Sequence, residues 1–203
     1  MKTLFLCSFF KDVARLFPAF AEGELAGKTI TFIPTASVPE RIKFYVKSGK
    51  KALRKLGLIV EVLELTTAPA NVISATLRKN DFIYIAGGNT FFLLQELRRT
   101  GADKLVAEQI EAGKLYIGES AGAVVLSPII DYAKLYDDCA KAPDLTDYTG
   151  LGIVDFYPCP HHTNFPFKRA VEKVVERYDA ERSLKLISNS QAIMVRGAAI
   201  TRA

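Results

Sequence analysis

Histidine is almost missing from this sequence. Only His161 and His162 occur in 203 residues, so a reaction that needs an imidazole has two adjacent candidates and no others. Cysteine is scarce as well. Cys7, Cys139 and Cys159 are odd in number and lack metal-ligand spacing, which argues against a disulfide framework and against a zinc centre. They read as reduced thiols, by default small buried hydrophobes; Cys159 is near enough to His161 in sequence to be weighed as a thiol nucleophile. No apolar run approaches the roughly 18 residues of a membrane span. The opening MKTLFLCSFF has one Lys, no long apolar stretch and Asp12 soon after it, so it reads as a first strand rather than an export signal. The expected location is cytoplasmic. Repeats and low-complexity segments are lacking too.

With 49% hydrophobic and 24% charged residues, the composition is that of an ordinary globular protein. A chain of this length buries roughly 70% of the surface its unfolded form exposes. That suffices for one sheet covered on both faces, so a single domain over 1–203 is expected. The net charge of +5 would suit a nucleic-acid partner. Much of the excess, however, falls at Arg41, Lys43, Lys47, Lys50, Lys51, Arg54 and Lys55, mostly opposite Ile42, Val46, Leu53 and Leu56 at helical spacing. This is the solvated face of an amphipathic helix. Without a nucleic-acid reading motif or interleaved aromatics, neither nucleic acid nor a membrane is an expected partner.

Short apolar runs alternate with helical patterns along the first part of the chain. Strands are expected at Thr3–Phe10, Thr29–Ile33, Leu58–Leu65 and Phe82–Ile85, the second rich in β-branched residues. Ser37 with Glu40 fits a capping box and Pro39 a first helical turn, so the basic helix is expected to start there and to end at Gly57. Further helices are expected at about 71–79, 91–99, 103–111 and 168–181. The alternation predicts a parallel sheet with helices on both faces. Asp131–Thr149, polar and closed by breakers, reads as a surface loop of the kind that is often functional beside a site. Two short apolar runs around Asn189-Ser190 read as a closing strand pair.

The chain's organising stretch is Lys114–Leu126, KLYIGESAGAVVL. Strand, tight turn and helix follow one another with Ser120 at the apex, and Gly118 and Gly122 remove the Cβ atoms that would crowd the reversal. Backbone N–H groups after the serine suit an oxyanion. A second Gly-rich turn, Ala86-Gly87-Gly88-Asn89-Thr90, ends the fourth strand on the same sheet edge. It lacks dinucleotide spacing and a phosphate-loop Lys, so its expected task is to bring a bare N–H close to a ligand. Ser120 needs a base, and His161 or His162 must supply it. The imidazole in turn needs a carboxylate; Asp131, Asp137 and Asp138 lie between serine and histidine. The oxyanion donors would be the N–H of Ala121 and one from Gly87-Gly88.

Four segments, Phe32-Ile33-Pro34-Thr35-Ala36-Ser37, Ala86-Gly87-Gly88-Asn89-Thr90-Phe91, Gly118-Glu119-Ser120-Ala121-Gly122-Ala123 and Pro160-His161-His162-Thr163-Asn164, together resemble the peptidase E family of serine peptidases, which includes aspartyl dipeptidase and, more distantly, cyanophycinase. The resemblance runs in order over most of the chain. It implies a three-layer α/β/α sandwich, flavodoxin-like and related to class I glutamine amidotransferases, and a peptidase acting on short peptides with no metal or organic cofactor, as a monomer or homodimer. It further implies Ser120 as nucleophile, His161 as general base, Gly88 and Ala121 as oxyanion donors, and Asp137, with Asp138 as alternate, as the acid. The sequence departs from aspartyl dipeptidase at Glu119, where a Trp precedes the serine, in a longer loop before the histidine and in a shorter segment after Asn164. Preference for an N-terminal Asp is therefore not carried over. Two rivals are an α/β-hydrolase esterase, which shares the GESAG turn and the Ser, Asp, His order but usually needs more chain before the histidine, and a binding module of the same fold without activity.

Overall fold

The alternation of strands and helices is realised in the computed structural model, which describes residues 1–203. Five parallel strands carry the sheet: β1 (Thr3–Cys7), β2 (Thr29–Ile33), β3 (Ile59–Val62), β4 (Phe82–Ile85) and β5 (Leu115–Glu119). Two antiparallel strands, β8 (Ala192–Arg196) and β9 (Ala199–Arg202), extend one side, giving the order β3-β2-β4-β5-β1-β8-β9. The opening segment is thus the inner strand between β5 and β8, with Leu4, Phe5, Leu6 and Cys7 fully buried.

Helices cover both faces. On one, α1 (Phe10–Val13), α2 (Phe17–Ala21) and the basic helix α3 (Phe44–Lys55) enclose the smaller core around Phe5, Phe10, Phe17, Phe32 and Tyr84. On the other, α4 (Ala70–Lys79), α5 (Thr90–Thr100), α6 (Ala102–Glu111), the single turn α7 (Ala121–Val124) and α8 (Lys168–Tyr178) enclose the larger one. The result is an α/β/α sandwich of the flavodoxin-like type. β2 and β4 are neighbours whose onward connections leave to opposite faces, and such a switch point opens a crevice at the strands' carboxyl ends. Ala36 and Gly88 meet there, with the Asn89 N–H donating to the Ala36 carbonyl at 2.8 Å.

The first strand, expected to reach Phe10, ends at Cys7 because Phe10 already begins α1, and the third, expected over Leu58–Leu65, spans only Ile59–Val62. Two further elements differ in start or partner. The basic helix starts at Phe44 rather than near Pro39, and no capping box forms: Thr35–Ser37 is a 3-10 turn, and Glu40 pairs with Lys141 at 2.7 Å instead of reaching back to Ser37. Ile42 consequently precedes the helix and is 68% exposed. The two runs around Asn189 do not pair with each other. The first, β7 (Leu184–Leu186), pairs in parallel with an unexpected short strand, β6 (Tyr157–Cys159); the second, β8, pairs with β1. The edge of β1 is a longer apolar template than a three-residue neighbour, so the tertiary pairing wins over the local hairpin.

Candidate active site

Ser120 lies at the carboxyl end of β5 in a conformation that side-chain-bearing residues rarely adopt, φ 50° and ψ −108°. Such backbone costs on the order of 1–3 kcal/mol and persists only where its surroundings impose it. Here the Ser120 N–H donates to Cys7 O at 2.8 Å, and its carbonyl accepts from Ala123 N and Val124 N at 2.8 and 3.0 Å. The flanking glycines are required by packing. A Cβ on Gly118 would stand 2.6 Å from Gly122 O, and one on Gly122 would stand 2.2 Å from Ile85 O.

The second Gly-rich turn meets the first. A Cβ on Gly87 would come within 3.1 Å of Ser120 Cβ, and Gly88, at φ 138°, packs so closely on Ala36 that a Cβ would fall 2.2 Å from its carbonyl oxygen. The N–H groups of Gly88 and Ala121 donate to no acceptor within the chain, so both are available to a ligand.

His161 Nε2 is 2.9 Å from Ser120 Oγ. Of the two histidines it is His161 that meets the serine, while the His162 N–H donates to Ile187 O and holds the segment to β7. The loop is further fixed where the His161 N–H donates to Ser8 Oγ, which donates to Ile187 O, both at 2.9 Å. Phe167 stacks on the imidazole at 4.7 Å. Burial holds the His161 pKa below the ordinary imidazole value, with the hydrogen bond that its ring donates to Asn189 Oδ1 acting against it.

The expected carboxylate does not face that imidazole. His161 Nδ1 is 2.9 Å from Asn189 Oδ1. An amide oxygen can only accept, so the proton sits on Nδ1 and Nε2 presents its lone pair to the serine. Asn189 is itself tied down by its N–H donating to Asn164 Oδ1 at 2.7 Å. Asp137 instead accepts from Thr90 N at 2.9 Å and Thr90 Oγ1 at 2.6 Å. The start of α5 offers unpaired N–H groups and a positive dipole end, a better partner for a buried carboxylate than a distant imidazole. Burial nevertheless raises Asp137 to about 6. Asp138 accepts from Ala140 N to begin a 3-10 turn, and Asp131 forms a bidentate pair with Arg182 at 2.5 and 3.0 Å. The thiol of Cys159 is fully buried and pushed up to about 12 by that burial, so it holds no thiolate at neutral pH.

Ser8 and Asn189 are the participants that sequence reasoning missed. Asn189 carried one signal, an Asn between two apolar runs, but that signal equally marks an ordinary turn.

The sequence matches the model of peptidase family S51 over residues 4–203. It is 57% identical to an uncharacterized peptidase of Listeria monocytogenes serovar 1/2a over 197 residues, covering 97% of this chain and 96% of that one. It is 33% identical to Peptidase E of Salmonella arizonae over 137 residues, which are 68% of this chain and 56% of that enzyme. A crystal structure of a candidate Peptidase E protein from Listeria monocytogenes EGD-e superimposes with a TM-score of 0.96 at 56% identity, covering 100% of this chain and 98% of that one.

Proposed function

The chain belongs to peptidase family S51 and is a peptidase, and on that premise we propose that it is a serine-type enzyme hydrolysing short peptides with a free N-terminus through an acyl-enzyme, with residues 1–203 as one catalytic domain. The observation that carries this reading is the 2.9 Å contact between Ser120 Oγ and His161 Nε2. His161 takes the hydroxyl proton as Oγ attacks the scissile carbonyl, and the oxyanion is received by the free N–H groups of Gly88 and Ala121. The imidazolium then returns its proton to the departing amine, leaving the acyl group on Ser120. Water then attacks the ester with His161 again as base, the bond between Ser120 Oγ and the acyl carbon breaks, and the imidazolium returns its proton to Oγ as the acid product leaves. In this scheme Asn189 orients the imidazole and selects its tautomer, in the place where the sequence suggested Asp137 or Asp138. A neutral amide stabilises the imidazolium less than a carboxylate would, so its hydrogen bond offsets only part of the lowering that burial imposes on the His161 pKa.

The test is turnover of dipeptides and amino-acid anilides set beside short-chain esters. Ser120→Ala and His161→Ala are each expected to lose about three or more orders of magnitude in kcat while staying folded, with His162→Ala active. Turnover of esters alone, or of nothing by well-folded wild-type protein, would reject the reading.

A further inference from the structure

Glu119 immediately precedes Ser120, is only 1% exposed, and takes no part in the scheme above. Its Oε1 accepts from the Phe10 N–H at 3.0 Å, and its Oε2 lies 2.9 Å from the Tyr84 hydroxyl and, at a longer 3.5 Å, from the Gly87 N–H. These partners come from the segment after β1, from β4 and from the Gly-rich turn, the same three pieces of chain that surround Ser120. Tyr84 is held in turn by stacking on Phe32 at 4.7 Å and by the edge of Phe10 at 5.4 Å. The titratable groups facing the carboxyl are Cys7 from β1, Asp12 from α1, Tyr45 from α3 and Tyr84 from β4. None is a cation, and Glu119 forms no ion pair, so its charge would be buried uncompensated.

Resting on the serine-peptidase reading, we propose that Glu119 is a positioning residue whose neutral carboxyl group holds the oxyanion turn against Ser120, and whose ionisation lowers the reactivity of that serine. Gly87 and Gly88 supply successive amides of one turn. The first is directed at Glu119 and the second is free for the oxyanion, so a carboxylate and an oxyanion compete for the same few dipoles. The neutral acid still accepts from the Phe10 N–H and the Tyr84 hydroxyl, but without a full negative charge it draws less on the turn's N–H dipoles, leaving their field to the reacting oxygen. Burial raises Glu119 to about 7, which places this change near neutral pH.

The experiment compares wild type with Glu119→Gln from about pH 6 to about pH 9. Two rates are followed: cleavage of an amino-acid anilide and covalent labelling of Ser120 by a fluorophosphonate, with Ser120→Ala as the unlabelled control. Wild-type labelling is expected to fall at least about fivefold above neutrality, and the ratio of variant to wild-type rate to rise by the same factor, because the amide cannot ionise. Measured in an Asp137→Asn background, so that the other raised carboxyl does not contribute, the infrared carbonyl stretch of buried protonated Glu119 should disappear as pH rises through about 7 and be lacking when Glu119→Gln is added. An equal alkaline fall in both proteins, a uniform loss in the variant at every pH, or an already ionised Glu119 at about pH 6 would each overturn the inference. Should the Glu119→Gln variant fail to fold, the infrared titration of Asp137→Asn and the wild-type labelling profile decide it alone. Labelling without cleavage of any anilide would sink the peptidase reading while the labelling profile still decides Glu119.

Discussion

In the proposed scheme Asn189, in contact with His161 Nδ1 at 2.9 Å, fills the place where the sequence led to an aspartate. An amide oxygen fixes the imidazole's tautomer as a carboxylate does, but adds no charge, so the imidazolium is stabilised less. With its pKa held low by burial, His161 remains a neutral base into mildly acidic solution. Activity should therefore rise with pH through a value below the ordinary imidazole one. Asn189→Asp is expected to move this acid limb of kcat/KM upward by roughly one pH unit, since an adjacent anion favours imidazolium. Asn189→Ala should lower kcat roughly 10- to 100-fold by leaving Nδ1–H without its acceptor. An unmoved limb in the Asp variant would show that residue 189 does not contact the catalytic imidazole.

At the scale of elements, the position of Ser120 depends on how closely β5, α7 and β4 approach. Gly118 and Gly122 stand where a side chain would strike main-chain atoms, which cannot swing aside as a flexible side chain can. Gly122→Ala, aimed at Ile85 O, is expected to destabilise the fold by about 3 kcal/mol or more and to displace Ser120, read as a lower urea midpoint together with lost serine labelling. The loop carrying His161 relies on another pairing, the short parallel ladder of β6 with β7, continued by the Ile187 N–H to Cys159 O and the His162 N–H to Ile187 O. That ladder sets both the height of the imidazole and the place of Asn189, two residues beyond Ile187.

Over the whole molecule, buried acids make stability depend on pH. Glu119 and Asp137 are raised to about 7 and about 6, above their unfolded values. The folded state therefore holds more protons than the unfolded chain between roughly pH 4 and pH 7, and stability falls as pH rises through that window. His161 acts in the opposite sense, losing stability as pH falls below its unfolded value, but it is one group against two. Ion-paired carboxylates such as Asp131, lowered by Arg182, lose their contribution only in more acidic solution. Thermal melts should accordingly give a Tm several degrees higher at about pH 5 than at about pH 8. Asp137→Asn should narrow that gap, since its amide does not ionise. An equal gap in the variant would mean that Asp137 is charged throughout.

Local chemistry by itself determined much of this protein. Apolar runs marked all five parallel strands, two of them, Thr29–Ile33 and Phe82–Ile85, to the residue. Glycines around Ser120 and at Gly87-Gly88 specified two tight turns on one sheet edge, because only residues lacking Cβ fit there. With just two imidazoles, the base could come from a single place in the chain. Which residue supports that base was decided by the tertiary structure alone. Asp137 is drawn to the unpaired N–H groups at the start of α5, whereas Asn189 is delivered by β6 pairing with β7 and by β8 taking the edge of β1. Contacts such as these join residues far apart in sequence, and no local propensity or spacing encodes the distance between them.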